Sequence, residues 1–310
     1  MPGRHPLPLG RPHLEEDTVL SDKQLISIVI PTHNRPERLI EALDSVARQQ
    51  YRPLELIIVD DGSEPAARDA ARRWADENHG DSLAVHYFHQ EQQGPAAARN
   101  RGLLESRGEY VQFMDDDHLM AADTLEHLVE ALPGPDIVAV SVASHQNVHA
   151  TDSASTTGER TAPPAYDNRK VLLEKLVDGR WFVPMSGYLF TRAAIAKVGE
   201  WNTKIRYRCE DELLIRAAVQ AVGFIAAPAA LVYQRDHDTH PAEQSNLHQR
   251  IRDNIQARER AARELTMRGA IQTYQPAFNS WYRGLVERYG NALDETLADK
   301  PSALIKWASR

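Results

Sequence analysis

Short apolar runs alternate with helically spaced apolar positions along the first half of the chain. Runs rich in Val, Ile, Leu and aromatic residues predict strands at 26–30, 54–59, 83–88, 109–113 and 137–142. Apolar positions at helical spacing and Ala-rich stretches predict helices at 36–49, 65–78, 94–106 and 122–132. Strands that alternate with helices in this way predict a Rossmann-like α/β fold, with a mostly parallel sheet covered on both faces.

Polar clusters directly follow three of these predicted strands. They lie at 32–35, 60–63 and 115–118. The carboxyl ends of parallel strands meet at one edge of an open α/β sheet, and ligands bind at that edge. We therefore expect the three clusters to converge on one site.

The second half of the chain is less regular. Residues 144–168 are rich in Ser, Thr, Pro, Asn and His, and we interpret them as a long mobile loop of the kind that gates substrates. Apolar and aromatic residues return at 181–190, and the pattern at 191–198 predicts a short helix. A further helix is predicted from the pair Glu210-Asp211 to about residue 222.

Three regions are predicted on this basis. Residues 1–22 lack the apolar core of a signal peptide and predict a flexible leader, residues 23–245 form the α/β domain, and residues 246–310 form a helical C-terminal extension. The extension carries an apolar stripe with arginines elsewhere around the helix. That pattern is compatible with contact to a membrane surface, with a homodimer through the C-terminal helices, or with packing on the main domain.

Composition narrows the classes of function. The net charge of −8 and the pI near 5.9 argue against broad binding of nucleic acid, which needs a basic surface. The one cysteine, Cys209, excludes an intramolecular disulfide and a cysteine-rich metal site. No apolar run is long enough to span a bilayer. We expect a cytoplasmic protein, with contact to the inner face of the membrane left open.

The stretch Phe113-Met-Asp-Asp-Asp117 concentrates three carboxylates after a strand. One aspartate could cap the next helix, but adjacent carboxylates raise one another's pKa unless a cation lies between them. Oxygen ligands favour Mg²⁺ or Mn²⁺, and Mg²⁺ takes one or two carboxylates together with water and substrate phosphate. In an extended chain Asp115 and Asp117 project the same way, with Asp116 between them. We interpret the triplet as the site of a diphosphate-bound metal.

Other polar groups have simpler alternatives. The stretch Asp60-Asp61-Gly62-Ser63 either forms an Asp-Gly turn or provides a carboxylate that accepts a hydrogen bond from the imide N–H of a uracil-like base. The pair at 210–211 is either helix-terminal charge or a general base with a neighbouring carboxylate. His237 and His240 lie in a run of polar residues that could be a solvated loop.

Four motifs in order resemble the signatures of family 2 glycosyltransferases. They are Ser27-Ile-Val-Ile-Pro-Thr-His-Asn-Arg-Pro36, Leu56-Ile-Ile-Val-Asp-Asp-Gly-Ser63, Gly94-Pro-Ala-Ala-Ala-Arg-Asn-Arg-Gly102 and Phe113-Met-Asp-Asp-Asp117. Gly187-Tyr-Leu-Phe-Thr-Arg192, Val198-Gly-Glu-Trp201 and Glu210-Asp211 continue the resemblance in the right order. It covers about residues 25–240, and an ordered set is far more specific than any one motif.

This resemblance implies a GT-A fold and an inverting transfer from a nucleotide-diphospho-sugar, most often a UDP-sugar. Asp61 would bind the base, and Pro31, Thr32, Asn34 and Arg35 would lie near the nucleotide. Arg99 and Asn100 would face the ribose or diphosphate. Asp115 and Asp117 match the Asp-X-Asp element that holds Mn²⁺ or Mg²⁺. His237, with His240 as its competitor, would be the third metal ligand, and Asp116 would contact ribose or sugar. Asp211 corresponds to the catalytic base, beside Glu210.

The sequence thus predicts a metal-dependent, inverting glycosyltransferase of the hexosyltransferase type. Its partners would be a nucleotide-sugar donor and an acceptor that is a small molecule, a glycan, a lipid-linked glycan or a peptide. The segment 181–185 and the 144–168 loop would shape the acceptor pocket. A nucleotidyltransferase is the first alternative, although its Gly-rich phosphate loop is missing after the first strand. A nucleotide-sugar-binding module without catalysis is the second.

Overall fold

A computed structural model of the chain describes residues 23–149, 156–163, 168–181, 183–235, 246–299 and 302–309. Its centre is one sheet of eight strands. In chain order the strands are β1 (Ile26–Thr32), β2 (Leu54–Asp61), β3 (Leu83–Gln90), β4 (Tyr110–Phe113), β5 (Leu119–Met120), β6 (Ala139–Val148), β7 (Tyr188–Thr191) and β8 (Gly223–Arg235). Every residue of β1 and β2 is buried, as expected of central parallel strands with both faces covered.

The strand order is β3-β2-β1-β4-β7-β6-β8-β5. Strands β3, β2, β1 and β4 run parallel, and so do β6 and β8. The inserted β7 is antiparallel to both of its neighbours, and the short β5 is antiparallel to β8. The predicted α/β fold with a mostly parallel sheet is confirmed, and β7 marks where its direction reverses.

Ten α-helices lie within the described residues. They are α1 (Pro36–Ala47), α2 (Pro65–Asn78), α3 (Pro95–Glu105), α4 (Thr124–Ala131), α5 (Arg169–Asp178), α6 (Arg192–Val198), α7 (Cys209–Val219), α8 (Leu247–Met267), α9 (Gln275–Asp299, kinked at Gly290) and α10 (Ala303–Ala308). Proline opens α1, α2 and α3, where its missing N–H costs no hydrogen bond. The side chain of Thr191 caps α6.

The predicted loop over 144–168 is wrong at its start, because β6 continues to Val148. Ser144 and His145 are buried although they are polar, and they pair with Leu231 and Val232 of β8 across a register shift. The polar composition concealed a strand whose backbone is satisfied by a parallel neighbour. Residues 150–155 and 164–167 of the expected loop lie outside the described residues.

Two apolar layers cover the sheet. Helices α1, α2 and α4 pack on one face, and α3 and α5–α10 contribute to a continuous core on the other. Ile251 and Leu265, from the apolar stripe of α8, belong to that second core together with Val29 of β1. The stripe therefore packs within the molecule, while a membrane contact and a homodimer stay predictions. No helix among the described residues is long and apolar enough to cross a membrane.

Helix α3 approaches β1 closely because residue 102 is glycine. A Cβ atom placed on Gly102 would lie 2.2 Å from Cγ1 of Val29. Side chains at such a distance overlap, so only glycine allows this helix to lie so near the sheet. The contact determines where the other residues of α3 lie relative to the ends of the strands.

Candidate active site

The polar clusters at the strand ends converge on one cleft of about 900 Å³. The cleft is bounded by the ends of β1, β2 and β4 and by the starts of α3 and α7. Ten of the predicted site residues line it: Pro31, Thr32, Arg35, Asp61, Arg99, Asp115, Asp116, Asp117, Glu210 and Asp211. The expected meeting of the three clusters is therefore observed.

Asp61 joins the end of β2 to the segment before α3. Its carboxylate accepts hydrogen bonds from Nε2 of Gln90 (2.8 Å) and from the backbone N–H groups of Gln93 (2.8 Å) and Gly94 (2.7 Å). Gly94 has a φ of 94°, a left-handed conformation that glycine adopts without strain. A carboxylate offers about four acceptor positions, so Asp61 retains capacity for one more donor.

Asp60, beside it, is a structural carboxylate. It is fully buried and accepts hydrogen bonds from Oη of Tyr87 (2.5 Å) and from the N–H of Ser63 (2.8 Å). Burial acts to raise the pKa of Asp60, but these hydrogen bonds outweigh it and hold the pKa below its usual value. Asp60 therefore closes the predicted Asp-Gly turn, while Asp61 faces the cleft.

The aspartate triplet does not continue β4 as an extended chain. The backbone turns at residues 116–117, and the N–H of His118 donates to the carbonyl of Asp115. Asp116 points to β1, where Oγ1 of Thr32 donates to it at 2.8 Å. Asp117 lies 3.0 Å from Nη1 of Arg35. The extended conformation expected of the triplet is therefore not observed, because the backbone turns at its second and third aspartates.

Arginines supply positive charge to this triplet. Arg35 contacts both Asp116 (3.3 Å) and Asp117, and Arg99 contacts Asp115 at 2.6 Å. Burial and then the neighbouring charge of Asp117 raise the pKa of Asp116 to about 6. The carboxylates therefore repel one another even with these cations in place.

Arg99 connects the triplet to the start of α7. Its side chain is almost fully buried, and it donates to Asp115 and to Oε1 of Glu210 at 2.7 Å. Its guanidinium also stacks on the ring of Trp201, 4.5 Å from the centroid. Burial acts to lower the pKa of Arg99, but Glu210 and Asp115 outweigh it and raise that pKa. One cation thus joins Asp115, at the end of β4, to Glu210 at the start of α7.

Asp211 is held by two further arginines. It accepts hydrogen bonds from Arg208 (2.8 and 3.2 Å) and from Nη1 of Arg258 (3.0 Å). Burial acts to raise the pKa of Asp211, but the charges of Arg258 and Arg208 outweigh it and hold the pKa below its usual value. Arg208 has a φ of 58°, in the left-handed region that is uncommon for a side chain of this size.

Two residues that were predicted to contact the nucleotide, Asn34 and Asn100, form hydrogen bonds with other parts of the protein. The side chain of Asn34 accepts from the N–H of Glu64, and its backbone N–H donates to Ser63, so it links the loops after β1 and β2. The amide of Asn100 forms two hydrogen bonds with the backbone of Trp201, at 3.0 and 2.8 Å. Neither residue lines the cleft, and their expected contacts with a nucleotide stay untested.

Two of the three expected metal ligands, Asp115 and Asp117, lie within the described residues. Asp115 and Asp117 both line the cleft, and both approach the ring of His118, at 3.5 and 3.8 Å. Among the described residues, no three His, Cys, Asp or Glu side chains form a group suited to a metal ion. His237 and His240 lie outside the described residues. Two carboxylates are nevertheless what Mg²⁺ commonly takes from a protein, the remaining ligands being water and phosphate.

Several residues around the cleft were not expected from the sequence. Arg208, Arg258 and Trp201 contact predicted site residues. Oγ of Ser186 accepts a hydrogen bond from the backbone N–H of Asp115 at 3.0 Å. Arg258 lies far along the chain within a helix whose arginines all look alike, so no local pattern distinguishes it. Trp201 belongs to the quoted Val-Gly-Glu-Trp motif, which was the available signal.

Strand-end carboxylates of a mixed α/β sheet thus line one cleft together with the acidic start of a helix. The profile of glycosyl transferase family 2 matches residues 27–186, just over half of the chain. The chain therefore belongs to glycosyl transferase family 2. The prediction of this family and of a GT-A fold with a helical C-terminal region is confirmed.

Relatives and solved structures agree with this assignment. An uncharacterized glycosyltransferase of Haemophilus influenzae is 38% identical over 102 residues, which are 33% of this chain and 40% of that protein. Staphylococcus aureus TarS (residues 1–349), in complex with UDP-GlcNAc, aligns with a TM-score of 0.60 at 16% identity, covering 91% of this chain and 79% of that one. The mannosyltransferase PcManGT of Pyrobaculum calidifontis, with GDP-Man and Mn²⁺, gives 0.52 at 20% identity, covering 93% and 87%.

The coverage of the curated relatives is limited. The aligned part of this chain spans 14% to 52% of their lengths. The two structural neighbours are both below a quarter identical in sequence, so they support the fold.

Proposed function

We propose that this protein transfers a sugar from a nucleotide-diphospho-sugar, preferably a UDP-sugar, to an acceptor hydroxyl with inversion at the anomeric carbon. One observation carries the proposal: the buried guanidinium of Arg99 contacts both Asp115 (2.6 Å) and Glu210 (2.7 Å). It joins Asp115, a carboxylate suited to a cation that carries the donor diphosphate, to Glu210 of the pair at 210–211 in one cleft. A single displacement needs a donor site and a base on the opposite side of the reacting carbon.

On the donor side, Asp61 binds the nucleotide base. Three protein donors already fix its carboxylate, and its remaining acceptor position suits the imide N–H of uracil. Arg35, whose side chain is 41% exposed, is placed to contact the diphosphate. The UDP-GlcNAc complex of TarS supports a nucleotide-sugar donor, and the GDP-Man complex of PcManGT shows why the base has to be tested.

Asp115 and Asp117 would hold a divalent cation, Mn²⁺ or Mg²⁺. Their hard oxygen ligands at the rim of the cleft fit such an ion, and the neighbour PcManGT was solved with Mn²⁺. When bound, the ion stabilises negative charge on the departing diphosphate. Arg99 and Arg35 hold the same carboxylates in place from the protein side.

On the acceptor side, Asp211 is the general base. As the acceptor oxygen forms its bond to the anomeric carbon, its proton passes to the Asp211 carboxylate, and the bond to the diphosphate oxygen breaks. The lowered pKa of Asp211 keeps it ionised at neutral pH, where it can accept that proton. Glu210, paired with Arg99, orients the acceptor.

The test combines binding and turnover. Thermal shifts with UDP-, GDP- and dTDP-sugars, each with and without Mn²⁺, identify the donor, because only ligands of the native state raise the melting temperature. The variant Asp211→Asn should lose transfer and keep the shift of wild type. Asp69→Asn, an exposed aspartate of α2, is the matched control and should retain both. Undiminished turnover in Asp211→Asn would overturn the assignment of the base.

A further inference from the structure

Helix α8, in the C-terminal region, reaches the candidate base through Arg258. This side chain is 1% exposed, and its Nη1 donates to Oδ2 of Asp211 at 3.0 Å. Its other nitrogens donate to the carbonyl oxygens of Val177 (3.2 Å) and Leu176 (3.4 Å), at the end of α5. The ring of Trp281, on α9, lies 6.0 Å away. The guanidinium is therefore fixed from three sides.

The same helix holds the loop that leads to Asp211. Asp253, one helical turn and a residue before Arg258, is fully buried, and its Oδ2 accepts from the N–H groups of Arg206 and Tyr207, both at 2.8 Å. Its Oδ1 accepts from Gln249 at 2.6 Å. Helix α8 thus binds residues 206–207 at one end of the segment and Asp211 at the other. None of these α8 residues lies within the part of the chain that the family profile matches.

We propose that α8 contributes to the active site and that its Arg258 is the positioning residue for Asp211. The proposal rests on the proposed function, since it assigns Arg258 a task in the transfer. Arg258 keeps the Asp211 carboxylate oriented toward the cleft and supplies a permanent positive charge beside it.

Exposure distinguishes the two arginines of Asp211. The side chain of Arg208 is 36% exposed and lines the cleft, so an entering acceptor can displace it. Arg258 is enclosed by two carbonyl oxygens and an aromatic ring. If Arg258 moved away from Asp211, its buried positive charge would lose its anionic partner, which is costly. Arg258 is therefore the partner that stays with Asp211 during the reaction.

The electrostatic surroundings support this division. The charged or titratable groups around Asp211 and its arginines are Arg208, Arg258, Tyr188, Glu210, Glu212, Asp178 and Tyr289. Burial raises the pKa of Tyr188, which keeps it neutral, and Glu210 is paired with Arg99. Glu212 is paired with Arg216 and Arg260. Among the described residues, Arg258 and Arg208 are therefore the groups that oppose the protonation of Asp211 directly.

The first test is the pH dependence of kcat/KM, whose acid limb reports the base in the free enzyme. Removing the charge in Arg258→Gln should move this limb to higher pH by about one unit, because a nearby cation lowers a carboxylate pKa by roughly 1–3 units. Arg260→Gln is the matched control: it removes a guanidinium of the same helix, whose partner Glu212 keeps Arg216. The acid limb of the kcat/KM profile of Arg260→Gln should lie at the same pH as that of wild type. The proposal would be overturned if the acid limb of Arg258→Gln lay at the same pH as that of wild type. It would also be overturned if the acid limb of Arg260→Gln moved as far as that of Arg258→Gln.

Arg258→Lys separates charge from geometry. It keeps the cation but cannot make the three bonds of the guanidinium, so the acid limb should stay near that of wild type while kcat falls about tenfold, as expected for a misplaced reacting group. A limb displaced as far as in Arg258→Gln, or a kcat equal to wild type, would contradict the positioning role.

A double-mutant cycle needs no turnover and therefore separates this pairing from the proposed function. In urea unfolding, Arg258→Gln should reduce the folding constant about tenfold more in the wild-type background than in the Asp211→Asn background. If Arg258→Gln alone fails to fold, the proposal requires that the double variant folds. Equal losses in both backgrounds, or unfolding of both, would show that Arg258 acts only through Leu176 and Val177.

Discussion

The contact of Gly102 with Val29 gives a sharp test of how the active site is positioned. The substitution Gly102→Ala places a methyl group 2.2 Å from Cγ1 and 3.2 Å from Cβ of Val29. Val29 is completely buried in a central strand, so it has no room to withdraw. The helix must move instead, and it carries Arg99, which bonds Asp115 and Glu210.

The magnitude follows from two opposing effects. Overpacking of a core costs about 1–3 kcal/mol, while replacing a helical glycine with alanine gains about 0.5–1 kcal/mol. The net loss in the free energy of unfolding should lie between about 0 and 2.5 kcal/mol. Urea unfolding measures this loss directly, and the melting temperature should fall by roughly 2 °C per kcal/mol.

Two companion variants make the result decisive. Gly284→Ala, in α9, meets no atom within 4 Å, so it should stabilise the protein by about 0.5–1 kcal/mol. Combining Gly102→Ala with Val29→Ala should cost less than the sum of the two single changes, because the new methyl fills the space that Val29 vacates. A Gly102→Ala variant as stable as Gly284→Ala would refute the argument that glycine at this position allows α3 to lie close to β1.

Two further predictions concern the aspartates at the end of β2. Asp61→Asn should weaken binding of a UDP-sugar about tenfold, since it removes a charged acceptor, and leave inhibition by inorganic pyrophosphate unchanged; an equal loss for pyrophosphate would contradict a contact with the base. Tyr87→Phe should raise the pKa of Asp60 and destabilise the fold above pH 3.8. Its urea midpoint should approach that of wild type as the pH falls below this ordinary value, and a constant difference would refute the linkage.

The regular part of the fold was open to prediction because its signals are local. Predicted and observed boundaries agree within a few residues for β1, β2, β3 and α2. The start of the 144–168 loop failed because Ser144 and His145 look polar and yet lie in a strand. A composition-based prediction cannot recognise a polar residue whose burial depends on a partner strand distant in the chain.

The residues of the candidate site could also be predicted only in part from the sequence. Asp61, Asp115 and Asp211 could be found because each occurs in a motif at the end of a strand or the start of a helix, and all three line the cleft. Asn100 shared such a motif, but its amide is used by the backbone of Trp201. A motif names residues that occur together, whereas the partner of each side chain depends on the packing around it.

The sequence by itself determined most of the strands and helices in the first half of the chain, the clustering of carboxylates at one edge of the sheet and the family of the protein. These follow from hydrophobic periodicity and from short motifs, which act over a few neighbouring residues. The tertiary structure decided which cations hold the carboxylates. Arg99 bridges Asp115 and Glu210, and Arg258 reaches Asp211 from a helix outside the matched region. Charges interact through space, so their pairing is settled only when distant segments pack together.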